Sequence, residues 1–92
     1  MKIIPSPHFE KQIDKLPDSA VKRINNKLND LASDKENLDI KKLKTGNDFR
    51  LRIGDYRVIF EYSSLSKETG ENEIVILLQN IFHRKEAYKK RK

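Results

Sequence analysis

The chain has 92 residues, 20 lysines and arginines against 14 aspartates and glutamates, a formal charge of +6 and no cysteine. That length bounds it to one small domain of modest stability, and the missing thiols exclude a disulfide framework and a thiolate zinc site. No apolar run approaches the ~20 residues that span a bilayer, and Met1–Pro5 lacks the apolar segment of a signal peptide, so a soluble cytoplasmic protein without membrane association is expected. The basic balance, with a sequence pI of about 9.6, brings nucleic acid into consideration as a partner.

Met1 to Pro5 reads as a short first strand. Ser6-Pro7 ends it, pairing an N-cap residue with proline at the first helical position. Phe9, Ile13 and Leu16 recur at helical spacing up to Pro17, which predicts a first helix of about ten residues. Asp18 or Ser19 is expected to cap a second helix, in which Val21, Ile24, Leu28 and Leu31 form the apolar stripe and Lys22, Arg23, Lys27 and Asp30 the opposite side. The short Pro-Asp break makes the two an antiparallel helical hairpin. Ser33 to Asn47 is a polar, lysine-rich stretch anchored by Leu38, Ile40 and Leu43.

Phe49-Arg50-Leu51-Arg52-Ile53 and Tyr56-Arg57-Val58-Ile59-Phe60-Glu61-Tyr62 are alternating runs joined by Gly54-Asp55, a strong signal for a β-hairpin with a two-residue primed turn. Counting outward from the turn sets Ile53 opposite Tyr56, Arg52 opposite Arg57, Leu51 opposite Val58 and Arg50 opposite Ile59. Phe49, Leu51, Ile53, Tyr56, Val58, Phe60 and Tyr62 then share one face, and Arg50, Arg52 and Arg57 the other. Like charges facing each other destabilise a ladder, where a favourable pair contributes roughly 0.2–1 kcal/mol. Guanidinium groups held together against that cost point to an anion, phosphate first, because arginine grips it with a planar fork. For any one of them, a solvated face neutralised by Asp48, Glu61 or the acidic loop is the plainer reading.

Ser63 to Asn72 is a polar connection in which Thr69-Gly70-Glu71-Asn72 suits a loose turn. Glu73 to Phe82 contains Ile74-Val75-Ile76-Leu77-Leu78, the unbroken apolar run of a strand covered on both faces. His83 to Lys92 is a short basic helix or a frayed tail. The fold class is therefore α+β, in the order β-α-α-β-β-β with that terminal helix as an option. The helical hairpin lies on the apolar face of a mainly antiparallel sheet, leaving the arginine face open, and residues 1–92 form one domain.

Lys42 and Lys44, with Lys41, precede the hairpin and extend its field. His83 and Arg84 follow the most apolar strand, and imidazole is the side chain suited to exchanging a proton near neutral pH. Tyr88 lies one turn beyond Arg84 if the tail is helical. Its alternative role is to anchor that tail. Two histidines far apart and scattered carboxylates give no metal-ligand spacing, so no metal and no cofactor are expected. RNA cleavage suits such a site, because the substrate 2′-hydroxyl serves as nucleophile while the protein orients it, accepts a proton and stabilises charge.

Leu43-Lys44, the run from Phe49 to Phe60 and His83-Arg84-Lys85-Glu86-Ala87-Tyr88, together with Lys15-Leu16-Pro17, resemble the RelE branch of the RelE/ParE toxin superfamily. The resemblance implies a type II toxin with a fold like microbial ribonucleases, cutting messenger RNA in the ribosomal A site without a metal. It implies a catalytic set of Arg57, His83, Arg84 and Tyr88, with Arg50, Arg52, Lys42 and Lys44 binding RNA. Lysine replaces Arg50 and Arg52 in some relatives, and since arginine does not deprotonate, His83 is the expected general base. Implied partners are a cognate acidic antitoxin, the ribosome and mRNA, and operator DNA only as the toxin–antitoxin complex. The competing functions are a ParE-like gyrase inhibitor that cuts no RNA and a non-catalytic nucleic-acid-binding module.

Overall fold

The computed structural model describes residues 1–44 and 46–85. Its elements are β1 (Lys2–Pro5), α1 (Pro7–Ile13), α2 (Asp18–Ala32), β2 (Ile40–Lys42), β3 (Asp48–Ile53), β4 (Tyr56–Ser66) and β5 (Asn72–His83). They build a five-stranded sheet in the order β1-β5-β4-β3-β2, antiparallel except where β1 runs parallel to β5. This is the α+β arrangement expected, with one strand more.

Ser6 turns the chain from strand to helix. Its hydroxyl accepts the Phe9 N–H at 3.1 Å and donates to the Gln79 carbonyl at 3.1 Å, so one side chain caps α1 and ties it to β5. That helix ends at Ile13, short of Leu16. The second helix departs from expectation at its start. Pro17 occupies the cap without a side-chain bond, and Asp18 is the first helical residue. Its carboxylate there still favours the positive end of the helix dipole.

The additional strand is β2, whose Ile40, Lys41 and Lys42 are all exposed. Three residues are too few to show alternation, and lysines on a sheet edge discourage pairing with other chains. Residues Ser63–Ser66, read from the sequence as part of a polar connection, also belong to a strand, because β4 pairs with β5 out to Ser66 and Asn72. The connection shrinks to a turn closed by Lys67 N–H to the Glu71 carbonyl at 2.7 Å and Gly70 N–H to the Lys67 carbonyl at 2.9 Å.

The β4–β5 register slips once. Ile59 faces Asn80 but Phe60 faces Leu78, leaving Gln79 as an extra residue. A bulge reverses which face each later side chain takes, and here it aims Ile76, Leu78 and Ile81 alike at the helices. They join Leu51, Ile53, Val58 and Phe60 under Phe9, Ile24, Leu28 and Leu31 to form the core. Val75, on the other face, is also fully buried, so the strand is covered on both sides from there, whereas Ile74 at the start of the apolar run is exposed. The sequence expectation of a C-terminal helix, including Tyr88, lies outside the described residues.

Candidate nucleic-acid interface

The arginine hairpin forms in the register counted from the sequence: Ile53 faces Tyr56, Arg52 faces Arg57, Leu51 faces Val58 and Arg50 faces Ile59. Gly54 takes φ 57°, the left-handed conformation that a primed two-residue turn requires at its first central position. A Cβ at this position would lie 2.9 Å from Nη1 of Arg23, whose guanidinium rests over the turn.

Among the described residues Arg50 and Arg52 are neutralised by Asp39, not by Asp48 or Glu61. Arg50 Nη2 donates to Asp39 Oδ1 at 3.3 Å, and Arg52 Nη1 lies 4.0 Å from Asp39 Oδ2. Asp48 instead accepts from Gln79 Nε2 at 3.0 Å. Arg50 is half-buried, and its Nε has no hydrogen-bond partner among the described residues. Buried polar atoms without partners are uncommon, so this one marks a place suited to a further acceptor.

Pairing of β4 with β5 brings the second group together at the turn end of the sheet, where Tyr56 faces His83. Arg57 Nη1 donates to the Gly54 and Tyr56 carbonyls, each at 3.3 Å. The Arg84 N–H donates to the Asp55 carbonyl at 2.7 Å, and Asp55 places one carboxylate oxygen 3.9 Å from Arg84 Nε and the other 4.0 Å from His83 Nε2. Asp55 therefore links the histidine to the second arginine.

His83 does not share the face of Arg57. Cross-strand partners share a face, and the partner of Arg57 is Phe82, whereas His83 stands with Tyr56 on the helix side. The two rings meet edge to face at 5.3 Å. Together with Gln12, Lys15 and Leu16 they border a groove of about 500 Å³. His83 Nδ1 accepts the Lys85 N–H at 3.2 Å, so the proton of the neutral ring sits on Nε2, toward Asp55.

The lysines divide in the same way. Lys41 faces Arg50 and extends the arginine face, but Lys42 faces Phe49 and so belongs to the other side of the sheet. Lys44 is exposed beyond β2. Sequence reasoning thus placed Lys42 in the arginine field, and the register corrects it, because a three-residue edge strand reveals its phase only when paired. It also passed over Asp39 and Asp55, the carboxylates that organise the two arginine groups. Their one sequence signal was position, each immediately beside a strand.

A family model described as the ParE toxin of the type II toxin–antitoxin system parDE matches residues 3–88. The chain belongs to that family. This ParE-family toxin is also similar to a chain of the solved RelB-RelE antitoxin-toxin complex from Methanococcus jannaschii, at 25% identity and a TM-score of 0.67, covering 97% of this chain and 99% of that one. No curated protein matches it. The toxin thus has the RelE/ParE superfamily fold, with two helices on a largely antiparallel sheet. Among its described residues no helix is long and apolar enough to cross a membrane.

Proposed function

We propose that this toxin is a ribosome-dependent endoribonuclease that cuts mRNA in the A site. The observation that carries the reading is that Arg57, at the start of β4, and Arg84, just past the end of β5, both contact the Gly54-Asp55 turn. Two guanidinium groups at one strand end suit a phosphate whose charge grows in the transition state. In this scheme Arg57 and Arg84 hold the scissile phosphate, and Arg50 and Arg52 position the strand. The 2′-hydroxyl attacks its own phosphate.

His83 stands on the other face from Arg57 and meets the arginine pair only at the sheet end, through Asp55; there it is the proposed base, its Nδ1 exchanging the 3.2 Å contact with the Lys85 amide for the hydroxyl proton. Tyr88 supplies stacking or a proton relay to the leaving oxygen. A cognate acidic antitoxin would hold the toxin silent, by analogy with the antitoxin-toxin complex of its structural relative, and the pair would bind operator DNA. The expected setting is the cytoplasm, with no cofactor.

Primer extension on a reporter message in a purified translation system tests the reading. Breaks inside ribosome-occupied codons are expected, and Arg57→Ala should lower their yield about 10²-fold or more, the scale of losing one transition-state donor. Cutting of naked RNA would remove the A-site step, and equal cutting by His83→Ala would remove the base assignment. The family match favours a second reading, inhibition of DNA gyrase without RNA cleavage. An intact message together with blocked supercoiling would establish it.

A further inference from the structure

Beyond Arg52 no strand flanks the outer side of β3, because β2 begins its pairing at Leu51 and the preceding chain leaves after the Asp39 carbonyl accepts the Arg52 N–H at 2.9 Å. A cavity of about 270 Å³ opens there between this edge and α2, and its lining includes Arg23, Lys27, Asn37, Asp39, Arg52 and Gly54. Three of these side chains are cations. Arg23 and Lys27 stand four residues apart, so they share one side of α2, where like charges repel by roughly 0.2–0.5 kcal/mol.

Among the described residues neither Arg23 nor Lys27 has an ion-pair or side-chain hydrogen-bond partner. Lys27 is nevertheless half-buried. Asp39 does not serve them, since its carboxylate is already shared by Arg50 at 3.3 Å and Arg52 at 4.0 Å. The Arg23 guanidinium occupies the space over the turn that glycine leaves open at position 54. Arg52 also belongs to the arginine face, directly opposite Arg57. Arg52 thus joins the arginine face to Arg23 and Lys27 around the end of β3, with Asp39 beside them.

We propose that this notch is a second phosphate site, which holds one backbone phosphate of an RNA strand continuing from the arginine face. The assignment rests on the RNA reading above. Cations that run from the sheet face around the end of β3 suit a polyanion charged at every residue better than the irregularly spaced carboxylates of a peptide. Glutamine at both helix positions tests it, because glutamine is nearly as good a helix former as lysine or arginine.

The full chain, an Arg23→Gln/Lys27→Gln variant and a charge-matched Lys2→Gln/Lys11→Gln control are titrated with a short 2′-O-methyl RNA, which has no nucleophilic hydroxyl, over a range of salt. The notch variant is expected to lose about 0.7 from the slope of log K against log salt, the contribution of one single-strand phosphate, and the control to keep its slope. The Gly54 amide resonance should shift with inorganic phosphate in the wild type and stay still in the notch variant. Equal slopes for notch variant and control overturn the proposal, even if phosphate moves Gly54. It is also overturned if poly-glutamate shifts Gly54 while the RNA slope is unchanged. Cleavage is assayed separately on 2′-hydroxyl RNA. A lost slope without cleavage keeps the notch and removes the nuclease reading, whereas cleavage with equal slopes removes the notch alone.

Discussion

Gly54 and Asp39 show how single residues set the properties of the cationic surface. At φ 57° an alanine in place of Gly54 meets the left-handed penalty of about 1–2 kcal/mol, and it displaces Arg23 as well. Gly54→Ala is therefore expected to lower stability by at least that amount in urea denaturation. Asp39 has the opposite influence. It is exposed and draws on both Arg50 and Arg52, so Asp39→Asn should cost no more than ~1 kcal/mol of stability. Removing one repelling charge near a phosphate is worth about 1 kcal/mol, or roughly fivefold tighter RNA binding at low salt. A filter-binding titration at two salt concentrations would show the gain at low salt and its loss at high salt. Weaker binding by Asp39→Asn would mean that the pairing with Asp39 holds these arginines in their productive positions.

At the scale of elements, the bulge at Gln79 sets the sheet against the helices. Its irregular backbone needs a substitute partner, which Gln12 provides by accepting the Ile81 N–H through Oε1 at 2.8 Å. Gln12→Met keeps the side-chain length but removes the acceptor, leaving a partly buried amide unpaired. The expected loss is about 1–3 kcal/mol, with faster hydrogen exchange at Ile81 as the local readout. The same element places His83 on the helix side beside Tyr56 and Arg84 beside Asp55.

For the whole molecule, the partial desolvation of Tyr62, which stays 37% exposed, gives one pH dependence. Tyr62 packs against Phe49 and Phe60 with ring centroids 5.3 and 5.6 Å apart. Burial first, and then the Asp34 carboxylate, raise its pKa above the ordinary value of 10.0. The folded state therefore holds the phenol proton more tightly than the unfolded chain. Its contribution is complete below pH 10.0 and is lost as pH rises through the folded value. Tyr62→Phe should unfold with a shallower alkaline limb, measured by midpoint denaturant concentrations at successive pH values above 10.0. An unchanged limb would place the alkaline transition on other groups. Since a domain of this size has only about 5–15 kcal/mol of stability, the Gly54 and Gln12 substitutions should be studied singly.

The alternation of arginine with apolar residues around Gly54-Asp55 was enough to specify the hairpin, its register and its cationic face, because a strand's two-residue period and a two-residue turn are local properties. The helical hairpin was legible for the same reason, from apolar spacing along α1 and α2. The strand Ile40–Lys42 was not, since it carries no core side chain and exists only through pairing with β3. Nor could the sequence reveal that Asp39 would neutralise Arg50, that the Gln79 bulge would reorient the end of β5, or that Arg23 would reach over the turn. Those relations depend on register and on packing between segments distant along the chain. The sequence by itself determined which face of the hairpin is cationic; the tertiary structure decided which cations share a phosphate-sized space and which are already paired.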